Sequence, residues 1–170
     1  MKNEHGFTLL ELMVVLAIAG ILMMVAVPNF KTTIADNRQV AAINELLGTL
    51  MYARSEAITD NKSITVCASS DSATCNSTDW SQGWIVYATA GTPLRVHGAL
   101  ANGLTLNNAG IGSSFTFSTN GTSTVSGLFT LCDSRGSSFA RSLNLISTGL
   151  AKASQTVGKA PDGTALSCPT

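Results

Sequence analysis

The sequence predicts an α+β protein in which a long N-terminal helix packs on a small antiparallel β-sheet domain. Three observations support this fold class. Residues 12–27 carry no polar side chain, and the apolar residues after them recur at three- and four-residue steps. Beyond about residue 64 the apolar period changes to two, as in strands. A helix followed by a run of strands is the order of elements typical of α+β domains.

The first element is an apolar segment long enough to span a bilayer. Residues 7–27 number 21, and a helix of that length extends about 31 Å, the thickness of the hydrocarbon core. A secretory signal peptide would carry its cut site after the apolar run. The candidate site here, between Gly6 and Phe7, precedes it, so the helix would survive removal of leader 1–6. An uncleaved single-pass anchor is the alternative.

Glu11 lies inside this apolar segment. A carboxylate there costs about 2.5–3.5 kcal/mol near the bilayer centre, less near its edge, and marks a functional position. Cleavage after Gly6 would give Phe7 a free α-amine, and a buried carboxylate needs a cationic partner. We expect Glu11 to pair with the Phe7 amine of a neighbouring copy. It would also favour the positive N-terminus of its own helix.

The helix is predicted to run from Phe7 to about Ile58, with an amphipathic second part over residues 28–59. Pro28 removes a backbone donor and crowds the preceding turn, so we expect a kink or local melting near Met24–Pro28. Seven apolar positions define the predicted buried stripe: Ile34, Val40, Ile43, Leu47, Leu50, Met51 and Ile58. Arg54 and Glu56 are expected on the solvated face.

Residues 60–170 are predicted to form one β-rich globular domain. Asn120-Gly121 is a strong turn signal between the strand at 115–118 and the strand near Leu128. Trp84, Phe117 and Leu131 are predicted core residues. Seven runs of period two are predicted strands: 64–68, 84–89, 94–97, 104–106, 115–118, 128–132 and 143–146.

Four cysteines, all beyond the apolar segment, predict two disulfides in an oxidising compartment: Cys67, Cys75, Cys132 and Cys168. Of the three possible pairings, Cys67–Cys75 and Cys132–Cys168 are favoured because each closes a contiguous stretch. No Cys-x-x-Cys occurs, and the histidines are His5 and His97. No metal or other cofactor is therefore expected.

Composition excludes several classes of function. Lys plus Arg and Asp plus Glu number ten each, and this neutrality argues against a nucleic-acid coat or a polybasic membrane binder. One histidine outside the leader leaves no Ser-His-Asp constellation. Gly110-Ile-Gly112 lacks the residues of a phosphate loop. We do not expect an enzyme.

The run Gly6-Phe7-Thr8-Leu9-Leu10-Glu11 resembles the prepilin signature of type IV pilins and type II secretion pseudopilins. The resemblance implies that a prepilin peptidase cuts after Gly6 and that the Phe7 amine is then methylated. Pro28 lies where pilins often carry a proline. The implied fold is the pilin-like roll, with a single inner-membrane helix at 7–27 and a periplasmic domain. The implied partners are other minor and major pilins or pseudopilins.

Further motifs resemble the GspH/FimT branch of minor pilins. They run in order along the chain: Asn37-Arg38, Ala53–Ala57, Gly83–Tyr87, Phe117 with Asn120-Gly121, and Leu131–Arg141. The cysteine set is typical of FimU- and FimT-like proteins. We therefore expect a minor type IV pilin that primes assembly of surface filaments for twitching motility, with DNA uptake as an open role. Pseudopilin H of type II secretion is the alternative.

DNA capture is a second alternative. FimT-like proteins linked to DNA uptake carry Gly-Arg-x-Arg near the C-terminus, where this chain has Gly149-Leu-Ala-Lys152. Lysine lacks the fork-shaped donor group suited to phosphate. The stretch also carries one positive charge, at Lys152, where Gly-Arg-x-Arg carries two. Arg135, Arg141 and Lys152 are the candidate contacts, and we expect weak DNA binding or none.

Overall fold

Helix α1 runs from Leu9 to Thr59. The computed structural model describes residues 8–88 and 91–169, and only the backbone of residues 25–29. The prediction of one long helix is confirmed over its described length, whereas Gly6 and Phe7 lie outside the described residues. The chain clusters into two compact units, Met1–Arg38 and Gln39–Thr170, each described by itself below.

Thr8 caps the start of α1. Its Oγ1 accepts the Glu11 N–H at 3.2 Å, and its carbonyl accepts the Leu12 N–H at 3.2 Å. Threonine followed three residues later by glutamate is the sequence of a capping box.

The helical backbone continues through Pro28, so the prediction of local melting there is wrong. A proline removes one hydrogen bond of a helix, and the turns on both sides remain helical. The expected kink stays a prediction. Within the described residues, no helix combines the length and hydropathy that a membrane span requires.

In the described residues, eight strands form two antiparallel four-stranded sheets. Sheet 1 has the order β3-β2-β1-β5, and sheet 2 has the order β4-β6-β7-β8. The strands are β1 Ile64–Ala68, β2 Trp84–Tyr87, β3 Arg95–His97, β4 Thr105–Ala109, β5 Ser114–Phe117, β6 Gly127–Cys132, β7 Arg141–Leu145 and β8 Ala151–Ala153. Short 3₁₀ turns occupy Trp80–Gln82 and Ser137–Phe139.

The α+β class and all the predicted strands are confirmed, with ends shifted by a few residues. The division into two sheets, strand β8 and both 3₁₀ turns were not predicted. The turn at Asn120-Gly121 forms, with Gly121 donating to the Ser118 carbonyl at 2.7 Å. It folds residues 122–124 back along β5 instead of joining β5 to β6, because β5 and β6 belong to different sheets.

The core lies where α1 packs on the two sheets. The predicted core residues Trp84, Phe117 and Leu131 are fully buried, which confirms them. Among the α1 side chains that the structure describes, the buried ones are Gln39, Ala42, Ile43, Leu46, Thr49, Leu50, Ala53 and Ala57. The predicted stripe is therefore correct at Ile43 and Leu50 and wrong at four exposed positions, Ile34, Val40, Met51 and Ile58. The buried side of the helix includes three alanines, Ala42, Ala53 and Ala57. Because alanine is small, this side can approach the sheets more closely than a side with larger residues could.

Both favoured disulfides are present. Cys67–Cys75 joins Cα atoms 5.6 Å apart and Cys132–Cys168 joins Cα atoms 5.9 Å apart. The second disulfide lies beside a small cluster separate from the main core, formed by Cys132, Ala140, Ala160 and Leu166. It therefore fastens the C-terminal segment to sheet 2.

Candidate functional site

The first turns of α1 expose apolar side chains on every face. Large apolar residues from Leu9 to Met24 are between 49% exposed, at Val14, and 82% exposed, at Met24. They include Leu10, Leu12, Met13, Val15, Leu16, Ile18, Ile21, Leu22 and Met23. A helix that is apolar all round is buried in a larger assembly or in lipid, and exposed apolar surface of this extent marks an interaction site.

Glu11 is the one ionisable side chain between Leu9 and Met24. Its backbone N–H is held by Thr8 Oγ1, and its side chain is exposed among leucines and methionine. Over residues 8–88 and 91–169, Glu11 forms no ion pair. The predicted partner, the Phe7 amine of another copy, lies outside the described residues, so this pairing stays a prediction.

In the second unit, a polar network joins α1 to sheet 1. The ring of His97 stacks on Trp84, with centroids 3.9 Å apart and planes at 4°. His97 Nε2 lies 2.5 Å from the Glu45 carboxylate, and Trp84 Nε1 donates to Thr49 Oγ1 at 3.3 Å. Thr49 Oγ1 in turn donates to the Glu45 carbonyl at 2.8 Å. These contacts fix the helix against strands β2 and β3.

Arg54 was expected on a solvated face; it is half-buried and hydrogen-bonded to two turns of the domain. Its Nε donates to the Gly121 carbonyl at 3.0 Å and its second guanidinium nitrogen to the Thr148 carbonyl at 3.5 Å. Gly149 has φ of +79°, and a Cβ there would lie 1.8 Å from the Gly121 oxygen. The arginine therefore joins the helix to two turns, and these turns can lie so close together only because position 149 is a glycine.

Arg135 is held within its own loop. The Asp133 carboxylate accepts hydrogen bonds from Arg135 Nε at 2.9 Å and from a terminal nitrogen at 2.7 Å. The guanidinium also lies 4.6 Å from the centre of the Phe139 ring. Burial raises the pKa of Asp133, but hydrogen bonds from the Arg135 side chain and backbone, together with its charge, outweigh this and lower the pKa. The charge of Arg135 is therefore neutralised locally.

The structure does not bring the three predicted DNA contacts onto one face. Arg141 begins β7, and strand alternation places it with Leu143 and Leu145 on the core side. Lys152 pairs with Asn144 on the opposite face. Within the described ranges, no three His, Cys, Asp or Glu side chains form a group that could hold a metal ion.

Comparison with known proteins identifies the family. The family described as type II transport protein GspH matches residues 42–149, more than half of the chain. The prokaryotic N-terminal methylation motif matches residues 1–27. The chain belongs to the GspH family. It is a pilin-like protein of the class that contains minor pilins and pseudopilins, which confirms the resemblance drawn from the sequence.

Two solved structures of this GspH-family protein's relatives share its fold. The type IV minor pilin FimU of Pseudomonas aeruginosa is 29% identical, with a TM-score of 0.57 over 71% of this chain and 95% of that one. The minor pseudopilin EpsH from the Type 2 Secretion System of Vibrio cholerae has a TM-score of 0.50 over 69% of this chain and 96% of that one. EpsH is 10% identical, so it supports the fold alone.

Curated relatives match a shorter stretch. A fimbrial protein of Pseudomonas aeruginosa is 41% identical over 64 residues, 38% of this chain and 41% of that protein. The type IV major fimbrial protein FimA of Dichelobacter nodosus is 38% identical over 64 residues, 38% of this chain and 40% of that protein. The chain thus spans about two fifths of the length of these relatives.

Proposed function

We propose that this GspH-family protein is a minor type IV pilin that acts as a structural and priming subunit of pilus assembly. The observation that carries the proposal is the all-round exposure of apolar side chains from Leu9 to Met24, with Glu11 in the first turn. Such a helix needs apolar surroundings on every side. The similarity to the minor pilin FimU over 95% of that chain favours a filament as the final surroundings.

Maturation would precede assembly. A prepilin peptidase would remove residues 1–6 after Gly6, and the amine of Phe7 would then be methylated, as the methylation motif at residues 1–27 implies. The segment 7–27 would hold the chain in the inner membrane as a single pass, with the β-rich domain in the periplasm. The two disulfides suit that oxidising compartment.

In the filament, the apolar helices of neighbouring subunits would bundle together. Glu11 would then meet the Phe7 amine of the next subunit. In a low-dielectric bundle an unpaired carboxylate is strongly unfavourable, so this pairing would select the axial register of an incoming subunit. Membrane insertion alone does not require it, because lipid offers no fixed register.

The alternative is pseudopilin H of the type II secretion system. The description of the family as type II transport protein GspH supports it. A third role, DNA capture, has less support because Arg135 is neutralised by Asp133, and Arg141 and Lys152 lie on opposite faces of sheet 2.

A deletion experiment separates the three functions. The gene is deleted and restored from a plasmid, and surface filaments, exoprotein secretion and DNA uptake are scored in the same strains. Loss of surface filaments with secretion intact is the expected result. Loss of secretion with filaments intact would overturn the proposal in favour of the pseudopilin, and loss of DNA uptake with filaments and secretion intact would favour the DNA-capture role.

A further inference from the structure

Strand β8, the edge of sheet 2, has backbone groups that face away from the sheet. Ser154 donates its N–H to the Ser142 carbonyl at 2.8 Å, and Ile146 donates to the Leu150 carbonyl at 3.0 Å. In an antiparallel ladder hydrogen-bonded pairs alternate with pairs that are not bonded. The N–H and carbonyl groups of Ala151 and Ala153 therefore point outward, and within the described ranges they have no partner.

Two other sheet edges, β5 and β4, are covered at least in part. The outward N–H of Thr116 in β5 donates to Thr124 Oγ1 at 3.0 Å, and the Thr116 carbonyl accepts the Thr124 N–H at 3.0 Å. On β4 the Ser81 hydroxyl accepts the Leu106 N–H at 2.9 Å. Proteins cover or charge edge strands because open ones pair with other chains. The open edge at β8 is therefore a place where another chain could pair.

An apolar groove lies beside the start of β8. It has a volume of about 270 Å³ and is lined in part by Met51, Ser55, Ile58 and Leu150. Met51 is 61% exposed, Ile58 49% and Leu150 56%. A strand added to β8 would extend sheet 2 alongside the last turns of α1, and side chains on one of its faces would enter this groove.

Two lysines lie on and after β8, Lys152 in the middle of the strand and Lys159 beyond its end. Lys152 and Lys159 line a second concave surface of about 240 Å³ together with Ser154 and Thr156. Neither lysine forms an ion pair with a carboxylate in the described part of the chain. Asp162, the nearest acid in sequence, has its carboxylate engaged by the Thr164 hydroxyl and N–H.

We propose that β8 is a docking edge for an extended segment of another pilin-like subunit. The segment would form main-chain hydrogen bonds with Ala151 and Ala153, place an apolar side chain in the groove and direct an acidic side chain to Lys152 and Lys159. This is strand addition, in which backbone bonds supply affinity and pockets supply specificity. Two copies of this chain paired at β8 would bring like charges at Lys152 together, which favours a different subunit as partner.

The proposal rests on the proposed function only in taking the partner to be a pilin-like subunit. To test it, the full chain is co-expressed and purified in detergent with the other subunits of the same cell that carry the N-terminal methylation motif. Amide hydrogen exchange is then measured on peptides covering residues 149–154, in the isolated chain and in the complex. We expect exchange at Ala151 and Ala153 to slow at least about tenfold in the complex, as for newly formed strand bonds.

Three results would overturn the proposal in different ways. A complex without protection at residues 149–154 would place the interface elsewhere and leave the proposed function standing. Slower amide exchange at residues 149–154 in a homodimer would show that the partner is a second copy of this chain and not a different subunit. Failure to form any complex with these subunits would count against both the docking edge and the proposed function.

Two variants sharpen the test. Lys152→Glu combined with Lys159→Glu should weaken retention of the partner by about tenfold, whereas Lys62→Glu, an exposed lysine after α1 that lines neither surface, should not. Ala153→Pro removes an outward N–H that β7 does not use. It should abolish protection while both disulfides still form and the free energy of unfolding is retained. If the charge-reversed variant and the Lys62→Glu control retained the partner equally well, the proposed contact with an acidic side chain would be refuted.

Discussion

At the residue scale, Trp84 and His97 form a stacked pair on sheet 1 at the point where the sheet meets α1. The Trp84 ring is buried, and His97 covers one face of it while contacting Glu45 on the helix. The Glu45 side chain is 57% exposed, so its contact with His97 is screened by solvent and contributes little. Ring packing therefore accounts for most of the contribution of His97.

His97→Ala should lower the free energy of unfolding by about 1–2 kcal/mol, because it removes the stacked ring and uncovers Trp84. The measurement is denaturant unfolding of the full chain in detergent, followed by tryptophan fluorescence. Val96→Ala is the matched control, since Val96 is a half-exposed residue of the same strand and should change stability by less than about 0.5 kcal/mol. Equal losses in both variants would contradict a specific role for the stack.

Aspartates in the turns form a second group at the residue scale. The backbone N–H of Thr74 lowers the pKa of Asp71, and the Thr164 hydroxyl lowers that of Asp162. At Asp79 and Asp133 burial raises the pKa, but hydrogen bonds from Ser81 and Arg135 outweigh it and the pKa is lowered. A carboxyl group with a lowered pKa stabilises the fold above its unfolded pKa, near 3.8 to 4, and loses that contribution as the pH falls through the lower folded value.

We therefore expect stability to fall when the pH drops from 6 to below about 4, and Asp133→Asn to reduce this dependence. The Asp133 side chain is only 9% exposed, so losing its charge should cost about 1–3 kcal/mol at pH 7 and progressively less at low pH. The free energy of unfolding is measured between pH 7 and pH 3, with Asp60→Asn, an exposed acid after α1, as control. An unchanged pH slope in Asp133→Asn would show that the Arg135 contact contributes no pH dependence.

At the element scale, the sequence predicted the length of helix α1 correctly but not which side of the helix is buried. The length follows from continuous helical periodicity, but apolar residues occur on more than one side between Ile34 and Ile58. Which side is buried depends on the sheets, and the alanines at positions 42, 53 and 57 decide it by allowing close approach. A small residue carries little hydrophobic signal, so this could not be read from periodicity.

Strand existence was predictable and strand pairing was not. The alternation of apolar residues identifies each of the strands β1 to β7 from its own segment. Their assignment to two sheets depends on contacts between residues that are distant in sequence. Strand β8 has only three residues, Ala151–Ala153, too short for an alternating pattern. The sequence Asn120-Gly121 predicts a turn correctly, but the chain uses it to cover the edge of β5.

The two disulfides should contribute unequally to stability. Cys132–Cys168 spans 36 residues and Cys67–Cys75 spans eight, so loop-closure entropy predicts about 4 and about 2.5 kcal/mol, respectively. Replacing Cys132 and Cys168 together by alanine should also release the cluster that contains Ala160 and Leu166.

Denaturant unfolding and limited proteolysis of the two double variants check this prediction. Each pair serves as the control for the other, because both replace two cysteines by alanine. Early cleavage between residues 154 and 168 is expected only when Cys132 and Cys168 are replaced. Equal losses of stability, or resistance of that segment to cleavage, would contradict the difference in loop length.

At the scale of the whole molecule, the sequence offers a prediction for the N-terminal segment, which stays a prediction, and none for the surfaces of the domain. Glu11 and the cut site follow from residues 6–11 alone, because their chemistry is local. The groove beside Leu150, the open edge of β8 and the bonds of Arg54 depend on residues far apart in sequence that folding brings together. Arg135, Arg141 and Lys152 were grouped by charge, but the Asp133 contact neutralises Arg135, and strand alternation separates Arg141 from Lys152.

Assembly of the whole subunit should depend on Glu11 in a way that membrane insertion does not. Glu11→Ala removes a carboxylate from an apolar segment, which makes transfer into lipid easier, so the membrane fraction should be retained or increased. Under the proposed pairing, the same change removes the partner of the Phe7 amine in the filament. Incorporation into sheared filaments should then fall about tenfold or more, since an uncompensated buried charge costs several kcal/mol. Glu4→Ala is the matched control, because under the proposed maturation that carboxylate belongs to the leader that is removed before assembly. Unchanged incorporation of Glu11→Ala would refute the pairing, and loss of the protein from the membrane would show that Glu11 acts at insertion instead.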